Sequence, residues 1–313
     1  MKAAVIRELG APPEVAEVDE PQDDDVVEVL AAPLNPIDVS VANGRFFGGH
    51  PPLPYVAGCE AVGRTPDGRL VWLFSGGLGV ARDGAMAQRV SLGAATAIDV
   101  PDDADPALAG ALGIAGLAGW LPLAWRAPLE GGETVLVLGA TGTVGIVAVQ
   151  AAKLLGAARV VAAGRSAAGL ERASELGADA TVRLDEADDL AAAFREACGG
   201  NGPTYVFDPL WGEPAAAAVV AAAPGARIVN LGQSAGPNAT LASGAVRGKQ
   251  LSLYGHTNFA VPPAELADHF RRLVAHAVAG EIRLDVERVA LDDVASAFEQ
   301  QAAGPGRKLV VVP

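Results

Sequence analysis

The sequence predicts an α/β protein in which a doubly wound parallel sheet is inserted into a β-rich domain. Two patterns along the 313 residues support this fold class. Residues 1–110 hold short apolar runs between turn clusters, a pattern typical of β-strands. Residues 119–257 instead alternate apolar runs with helical stretches, which indicates βαβ units and a parallel sheet. We expect the last apolar run to return to the first domain, which would then consist of residues 1–118 and 258–313 around an inserted domain of residues 119–257.

The individual elements follow from hydrophobic periodicity and turn residues. In the first domain we expect strands at Lys2–Ile6, Val26–Ala31, Leu70–Phe74 and, from the far end of the chain, Lys308–Val312. The six strands expected in the inserted domain are Thr134–Leu138, Arg159–Ala163, Ala180–Leu184, Tyr205–Asp208, Arg227–Leu231 and Leu251–Tyr254. The expected helices are Thr143–Leu155, Ala167–Leu176, Glu186–Ala197, Glu213–Ala223, Pro263–Ala279 and Leu291–Ala303.

Composition and charge exclude several classes of protein. Half of the residues are hydrophobic, which is ample for a packed core. The net charge is −14 and no basic stretch occurs, which argues against nucleic-acid binding and against docking on an anionic membrane. The only cysteines are Cys59 and Cys198, too few for a disulfide framework.

Two windows, residues 107–125 and 134–152, carry no charge and approach the length of a membrane span. The first window contains four glycines and a proline, and the second suits a strand, a turn and a helix start, so we expect neither to cross a membrane. Arg7 and Glu8 stand where a signal peptide needs an apolar stretch. We therefore expect a cytoplasmic protein.

The segment Val135–Gly145 carries the strongest functional signal. An apolar run leads into a Gly-rich turn that opens a helix, the arrangement that places free helix N–H groups against a dinucleotide pyrophosphate. Gly142 would let the backbone approach the phosphates, and Gly145 would let the helix pack closely on the strand. The residues of this turn expected to bind the cofactor are Ala140, Thr141, Gly142, Thr143, Val144 and Gly145.

The end of the next strand predicts which dinucleotide binds. An NAD site normally carries Asp or Glu there, whereas an NADP site accommodates the 2′-phosphate with Arg. The chain has Gly164, Arg165 and Ser166 and no carboxylate between Val160 and Leu170, so we expect NADPH. Ligands of such sheets bind beyond the carboxyl ends of the strands. Further cofactor contacts are therefore expected from Leu231, Gly232 and Asn258, with His256 as an additional candidate acid.

Several segments together resemble the medium-chain dehydrogenase/reductase superfamily, in particular its zinc-independent, quinone oxidoreductase-like branch. They are the N-P-x-D segment at residues 35–38, the L-P-x-x-x-G-x-[DE] segment at 53–60, residues 116–120, which resemble the family's G-L-T-A-[WY] helix with Ala118 in place of its threonine, the cofactor turn at 139–145 and the closing strand at 306–310. The resemblance covers nearly the whole chain. It implies a GroES-like domain built from both ends of the chain, an inserted Rossmann domain and an active site in the cleft between them.

The departures from the family concern the metal. Zinc-dependent relatives have Cys at the place of Asn35 and His at the place of Cys59. A catalytic zinc needs three protein ligands, and Asn35 is a poor one. Two cysteines also cannot form a four-cysteine structural zinc site, and the four histidines show no metal-ligand spacing. We therefore expect a zinc-independent protein.

The candidate catalytic side chains are Asn35, Tyr55 and Asp38. Asn35 offers an amide N–H for a carbonyl or for the cofactor, Tyr55 is the nearest phenol, and Asp38 is a candidate orienting group. Each of the last two has a structural alternative: Tyr55 as a packing residue and Asp38 as a capping or turn residue. Some enoyl-thioester reductases of the family carry a tyrosine at the place of Phe46, and Phe46 cannot donate a proton.

Without zinc, the chemistry favours acceptors that are already electron-poor, namely quinones and α,β-unsaturated carbonyls. We expect hydride transfer from NADPH to such a small-molecule substrate, with the protein supplying alignment and hydrogen bonds. Two alternatives stay open: an enoyl-thioester reductase of fatty-acid or polyketide metabolism, and a catalytically idle NADPH-binding sensor or structural protein. The uncharged run Leu251–Tyr254, as an outermost strand, also predicts a homodimer formed by edge pairing.

Overall fold

In the computed structural model, which describes residues 1–304 and 306–313, the chain forms two units. The first unit comprises Met1–Ala115, Pro262–Val278 and Leu284–Pro313, and the second comprises Gly116–Val261 and Ala279–Arg283. Residues 116–118, 258–261 and 279–283, which the sequence assigned to the first domain, thus belong to the second unit. The fold is a Rossmann domain inserted into a GroES-like β-rich domain.

The N-terminal part of the first unit contains short strands and two short helices. The strands are β1 (Lys2–Ile6), β2 (Glu14–Glu17), β3 (Val26–Pro33), β4 (Tyr55–Val56), β5 (Glu60–Arg64), β6 (Leu70–Phe74), β7 (Arg89–Ser91) and β8 (Thr96–Asp99). The helices are α1 (Pro36–Ala42) and α2 (Pro106–Ala111). Strands β2, β1 and β4 form a three-stranded antiparallel sheet in that order.

The second unit alternates strands with helices. Its strands are β9 (Thr134–Leu138), β10 (Arg159–Gly164), β11 (Ala180–Arg183), β12 (Tyr205–Asp208), β13 (Arg227–Asn230) and β14 (Ser252–Gly255). Its helices are α3 (Leu117–Leu121), α4 (Thr143–Leu154), α5 (Ala167–Glu175), α6 (Leu190–Ala197), α7 (Gly212–Ala221) and α8 (Ser243–Gly248). All six strands are parallel, in the order β11-β10-β9-β12-β13-β14. The order reverses between β9 and β12, the position where ligands of doubly wound sheets bind.

The C-terminal part completes the first unit with α9 (Pro263–Val278), β15 (Val286–Ala290), α10 (Val294–Ala303) and β16 (Lys308–Val312). Strand β16 pairs antiparallel with β3 and parallel with β15. The second sheet of this unit therefore has the order β15-β16-β3-β5-β6-β8, with β7 pairing to β3. The prediction that the closing strand returns to the first domain is confirmed.

The strands that are buried on both faces lie where the sequence predicted them. Such strands are continuous apolar runs, so the local sequence alone is enough to identify them. The predicted helix Glu186–Ala197 begins instead at Leu190, since the Asp189 side chain accepts a hydrogen bond from the N–H of Ala192 at 3.0 Å and caps the helix there. The sequence did not predict the short strands β2, β4, β5, β7, β8 and β15.

The helical segment Pro106–Arg126 is long and apolar enough to cross a membrane by length and composition. However, 78% of its most apolar window is buried inside the protein, as in the core helix of a globular domain. Two π-helical stretches interrupt it, Leu112–Gly116 and Pro122–Arg126, and Gly113 has non-helical angles.

Candidate functional site

The turn between β9 and α4 has the backbone geometry that a dinucleotide site requires. A Cβ atom on Gly145 would lie 2.3 Å from the carbonyl oxygen of Gly139, so only glycine lets α4 pack this closely on the turn. At Gly142 the nearest atom to such a Cβ would be 3.8 Å away, and the residue is exposed. The backbone above Gly142 is therefore open to a ligand.

The start of α4 offers hydrogen-bond donors to that open face. Gly142 is the N-cap, no side chain in the described part of the chain caps this end of the helix, and Thr143 and Val144 are half-buried. The first amides of a helix have no intrahelical acceptor and carry partial positive charge, so they attract phosphate groups. These features fit a dinucleotide pyrophosphate.

The residues Ala140 and Thr141 of the turn contact the neighbouring strand β10 and the start of α5. The buried Ala140 donates its N–H to the carbonyl oxygen of Ala163 at 2.9 Å. The Thr141 side chain fills the space left by two glycines, because a Cβ on Gly164 or on Gly169 would lie 2.5–2.6 Å from it. The turn thus depends on glycines outside its own motif.

The carboxyl end of β10 has the residues expected for an NADP site. Arg165 is exposed and forms no hydrogen bond or ion pair with any residue in the described part of the chain. The Ser166 hydroxyl accepts a hydrogen bond from the N–H of Gly169 at 3.1 Å and caps α5, which leaves its own proton free to be donated.

The carboxyl ends of β12 and β13 are joined by a buried carboxylate. Asp208 accepts hydrogen bonds from the amides of Leu210 and Trp211 at 2.9 and 2.8 Å and from the Asn230 side chain at 2.9 Å. Burial raises the pKa of Asp208. The predicted cofactor residues Leu231 and Gly232 come directly after Asn230, the last residue of β13, and both are half-buried. Asp208 therefore fixes the backbone on which these residues lie.

Trp211 was not anticipated as a site residue. Its φ of 58° and ψ of −154° lie in a region otherwise used by glycine, and residues held there cluster at functional sites. Its side chain lines a cavity of about 200 Å³ together with residues of β13 and β14.

Beyond β14, His256 lies 3.1 Å from the side-chain oxygen of the buried Asn258 through its Nε2 atom. Burial lowers the pKa of His256, so its imidazole is in the neutral form at neutral pH and has no imidazolium proton to donate. Asn258, a predicted cofactor residue, is engaged by this contact.

In the first unit, Asn35 does not have the free amide that the sequence prediction required. Its Nδ2 atom donates to the carbonyl oxygen of Pro33 at 3.2 Å and to Oε1 of Glu60 at 2.7 Å. Its Oδ1 atom accepts from Nζ of Lys308 at 2.5 Å. An amide nitrogen has two protons, and both are used. The Asn35 side chain thus bridges a carboxylate and an ammonium, and its donation to a carbonyl or to the cofactor stays a prediction.

Glu60 and Lys308 are fully buried, and the sequence analysis did not connect them. Glu60 accepts from Asn35, from the Trp72 indole at 2.8 Å and from the N–H of Ile114 at 2.8 Å. Three donors on one carboxylate favour its ionised form. Burial raises the pKa of Glu60 and lowers that of Lys308, and the attraction between the two charges opposes both shifts.

Asp38 has the structural role that the sequence left as an alternative. Its carboxylate accepts from the N–H of Asn35 at 2.7 Å, within the first turn of α1, and from the N–H of Cys59 at 2.8 Å. Burial raises the pKa of Asp38 and of the Cys59 thiol. Asp38 therefore ties α1 to the segment before β5, and its assignment as a catalytic residue is not supported.

Tyr55 is the candidate that keeps a free donor. Its side chain is only 3% exposed, and its hydroxyl has no hydrogen-bond partner among residues 1–304 and 306–313. Desolvation raises the pKa of Tyr55, so the hydroxyl stays protonated. Buried hydroxyls are normally paired, which makes this one a candidate for binding a ligand.

Among the described residues, no three His, Cys, Asp or Glu side chains come together as a metal-binding group. Cys59 lies beside Asp38 and Glu60, and both carboxylates already accept hydrogen bonds from protein donors. Independence of zinc stays a prediction.

The parallel sheet with its glycine turn and the separate β-rich unit define a dehydrogenase/reductase architecture. Residues 143–275 match the family described as zinc-binding dehydrogenase. The chain belongs to the medium-chain dehydrogenase/reductase superfamily, in its quinone oxidoreductase-like branch.

Two relatives frame this assignment. The chain is 31% identical to a phenolphthiocerol/phthiocerol polyketide synthase protein of Mycobacterium tuberculosis, an alignment that covers 94% of the chain and 14% of that protein. The chain thus spans about one seventh of the length of this relative. It is 28% identical to quinone oxidoreductase-like protein 2 of Mus musculus, over 75% of the chain and 70% of that protein.

Solved structures show the same fold over the whole chain. An NAD-dependent alcohol dehydrogenase aligns with a TM-score of 0.86 and 28% identity, covering 100% of both chains. A mycobacterial protein in complex with NADPH aligns with a TM-score of 0.85 and 23% identity, again covering 100% of both chains.

Proposed function

We propose that the protein is a zinc-independent, NADPH-dependent oxidoreductase that reduces a quinone or an activated α,β-unsaturated carbonyl. The observation that carries this proposal is the open helix start at Gly142, followed at the next strand end by the exposed Arg165 without a neighbouring acid on β10. Helix amides suit the pyrophosphate, and a planar guanidinium suits the 2′-phosphate.

Bound NADPH would supply a hydride from C4 of its nicotinamide. The chain's own contribution begins with binding: the amides of Thr143 and Val144 hold the pyrophosphate, and Arg165 holds the 2′-phosphate. Asp208 orients the backbone of residues 210–211 and, through Asn230, the strand end that precedes Leu231 and Gly232. We assign the nicotinamide end of the cofactor to Leu231, Gly232 and Asn258.

The remaining requirement is a donor for the oxygen that gains negative charge. Asn35 is saturated, and Asp38 only accepts hydrogen bonds. Tyr55 keeps its proton and has no protein partner among the residues that the structure describes. Because burial makes its phenol a weaker acid, we assign to Tyr55 the hydrogen bond to the acceptor oxygen, and the proton that completes the reduction comes from water.

The acceptor class follows from this weak set of polar groups. One hydroxyl stabilises an oxyanion less than a metal ion does, so the acceptor must already be electron-poor. Quinones and conjugated enones meet that condition, whereas a simple ketone does not.

A second candidate is an enoyl-thioester reductase. It is favoured by the 31% identity to a polyketide synthase protein over 94% of the chain. In this case the substrate would be an α,β-unsaturated acyl thioester, another activated enone, and the same residues would act.

Consumption of NADPH, followed at 340 nm with a simple quinone and then with a crotonyl thioester, separates these possibilities. Turnover with the quinone supports the first function, and turnover only with the thioester supports the second. Tight NADPH binding without turnover of either would support an idle binding protein and refute both.

A further inference from the structure

A second arginine, Arg183, lies on the strand next to β10. Two acidic side chains bind its guanidinium group. In the parallel pairing of β10 with β11, Gly164 is opposite Arg183, and the N–H of Leu184 donates to the carbonyl oxygen of Gly164 at 2.9 Å. Arg165 directly follows Gly164, Asp185 lies two residues beyond Arg183, and the positive charge of Arg165 is close enough to lower the pKa of Asp185. Neither Arg183 nor Asp185 was anticipated as a site residue.

The Arg183 guanidinium is held by carboxylates along two of its edges. Its Nε and Nη2 atoms donate to the two oxygens of Asp185 at 3.0 and 2.9 Å, and its Nη1 atom lies 3.0 Å from Oε1 of Glu186. The hydrogen bonds from Arg183 lower the pKa of Asp185, so it is a carboxylate at neutral pH. The Nε–Nη2 edge, which could bind a phosphate with two parallel hydrogen bonds, is therefore in use.

The charges at this strand edge cancel. Arg165 and Arg183 contribute two positive charges, and Asp185 and Glu186 contribute two negative ones. A ribose 2′-phosphate carries more than one negative charge at neutral pH and would meet Arg165 as its single unoccupied arginine among these residues. A ribose hydroxyl, as in NADH, carries no charge and gains little from a second arginine.

We propose that Asp185 limits the selectivity for NADPH over NADH by occupying the phosphate-binding edge of Arg183. This inference rests on the proposed function, since it assumes that the cofactor's adenosine end binds at Arg165. It makes Asp185 a specificity-determining residue and Arg183 a second phosphate-binding arginine that is masked in the wild-type chain.

The decisive variant is Asp185→Asn, which removes the charge and keeps the shape. Exposed ion pairs contribute little to stability, so the variant is expected to fold. The dissociation constants of NADPH and NADH are measured by titration of nucleotide fluorescence for the wild type and the variant. We expect the preference for NADPH to rise about tenfold, the scale of one charge-assisted hydrogen bond, with little change for NADH.

Two further variants isolate the cause. Glu186→Gln is the matched control, because Glu186 contacts a single guanidinium nitrogen and is more exposed than Asp185; its effect should be clearly smaller. In the double variant Asp185→Asn with Arg183→Ala, the gain should disappear, because the released arginine is gone.

Unchanged selectivity in Asp185→Asn, or a gain that persists without Arg183, would overturn the inference. These outcomes are distinguishable from a failure of the proposed function. If the wild type binds neither nucleotide, the proposed function fails; if it binds both and Asp185→Asn leaves their ratio unchanged, only the masking of Arg183 is refuted.

Discussion

The unpaired hydroxyl of Tyr55 leads to a prediction in which stability and activity change in opposite directions. A buried hydroxyl without a partner costs about 1–3 kcal/mol, because it has lost its hydrogen bonds to water. Tyr55→Phe removes this cost while the ring stays buried at 3% exposure. We expect the free energy of unfolding to rise by about 1 kcal/mol, the lower end of that range because some packing of the oxygen atom is also lost.

Activity should fall in the same variant. If Tyr55 donates the hydrogen bond that stabilises the acceptor oxygen, its loss should lower kcat by about 10²-fold, the scale of losing one donor to an oxyanion. The affinity for NADPH should not change, since the residues assigned to the cofactor lie in the second unit.

Urea unfolding and steady-state kinetics on Tyr55→Phe test both parts. Tyr205→Phe is the matched control, because the equally buried Tyr205 hydroxyl donates to the carbonyl oxygen of Pro122 at 2.6 Å. Its removal should lower stability by about 1 kcal/mol. A Tyr55→Phe protein with wild-type turnover, or one destabilised like Tyr205→Phe, would refute the assignment of Tyr55.

Four further predictions concern the cofactor, the buried charges, the metal and the assembly. Arg165→Ala should weaken NADPH binding by about 1.5–3 kcal/mol and barely affect NADH; unchanged NADPH affinity in a titration would show that another residue binds the 2′-phosphate. Glu60→Gln should lower the free energy of unfolding by about 1–3 kcal/mol, because it weakens the buried acceptor of the Asn35, Trp72 and Ile114 hydrogen bonds; an unchanged free energy of unfolding in a urea experiment would contradict these contacts. Elemental analysis should find no stoichiometric zinc, and activity removed by a chelator and restored by Zn²⁺ would refute this. Light scattering should give about twice the chain mass of 31.5 kDa. Leu253→Pro should shift the protein toward monomer, because the N–H groups of Ser252 and His256 donate to β13 and the N–H of Leu253 between them faces the free edge; a monomeric wild type at micromolar concentration would disprove pairing of the β14 edges.

The Rossmann unit could be predicted from the sequence because its signals are local. Each central strand, such as Thr134–Leu138, is a continuous apolar run that is buried on both faces, and the glycine turn that follows it needs no distant partner. Strand β15 shows the opposite case. Its residues Val286–Ala290 mix exposed and buried positions, so the run does not stand out from a loop.

The polar network of the first unit could not be predicted, since its members are far apart in sequence. Lys308 bonds to Asn35 across 273 positions, and only the pairing of β16 with β3 brings them together. The sequence did contain a sign of this network. Glu60 and Lys308 are charged residues at the start of largely apolar strands, and charged side chains that are buried need partners. Which partners they find depends on the fold.

The long separation of Asn35 from Lys308 has a consequence for how the chain is made. Domains generally fold as units while synthesis proceeds from the N-terminus. Residues 116–261, the main part of the second unit, leave the ribosome as one uninterrupted stretch, whereas the first unit must wait for β16. Until then Glu60 has no ammonium to balance its charge, and Lys308 has not yet reached the carbonyl oxygen of Leu34. We therefore expect the inserted unit to acquire protease resistance on the ribosome before the unit that precedes it in the sequence.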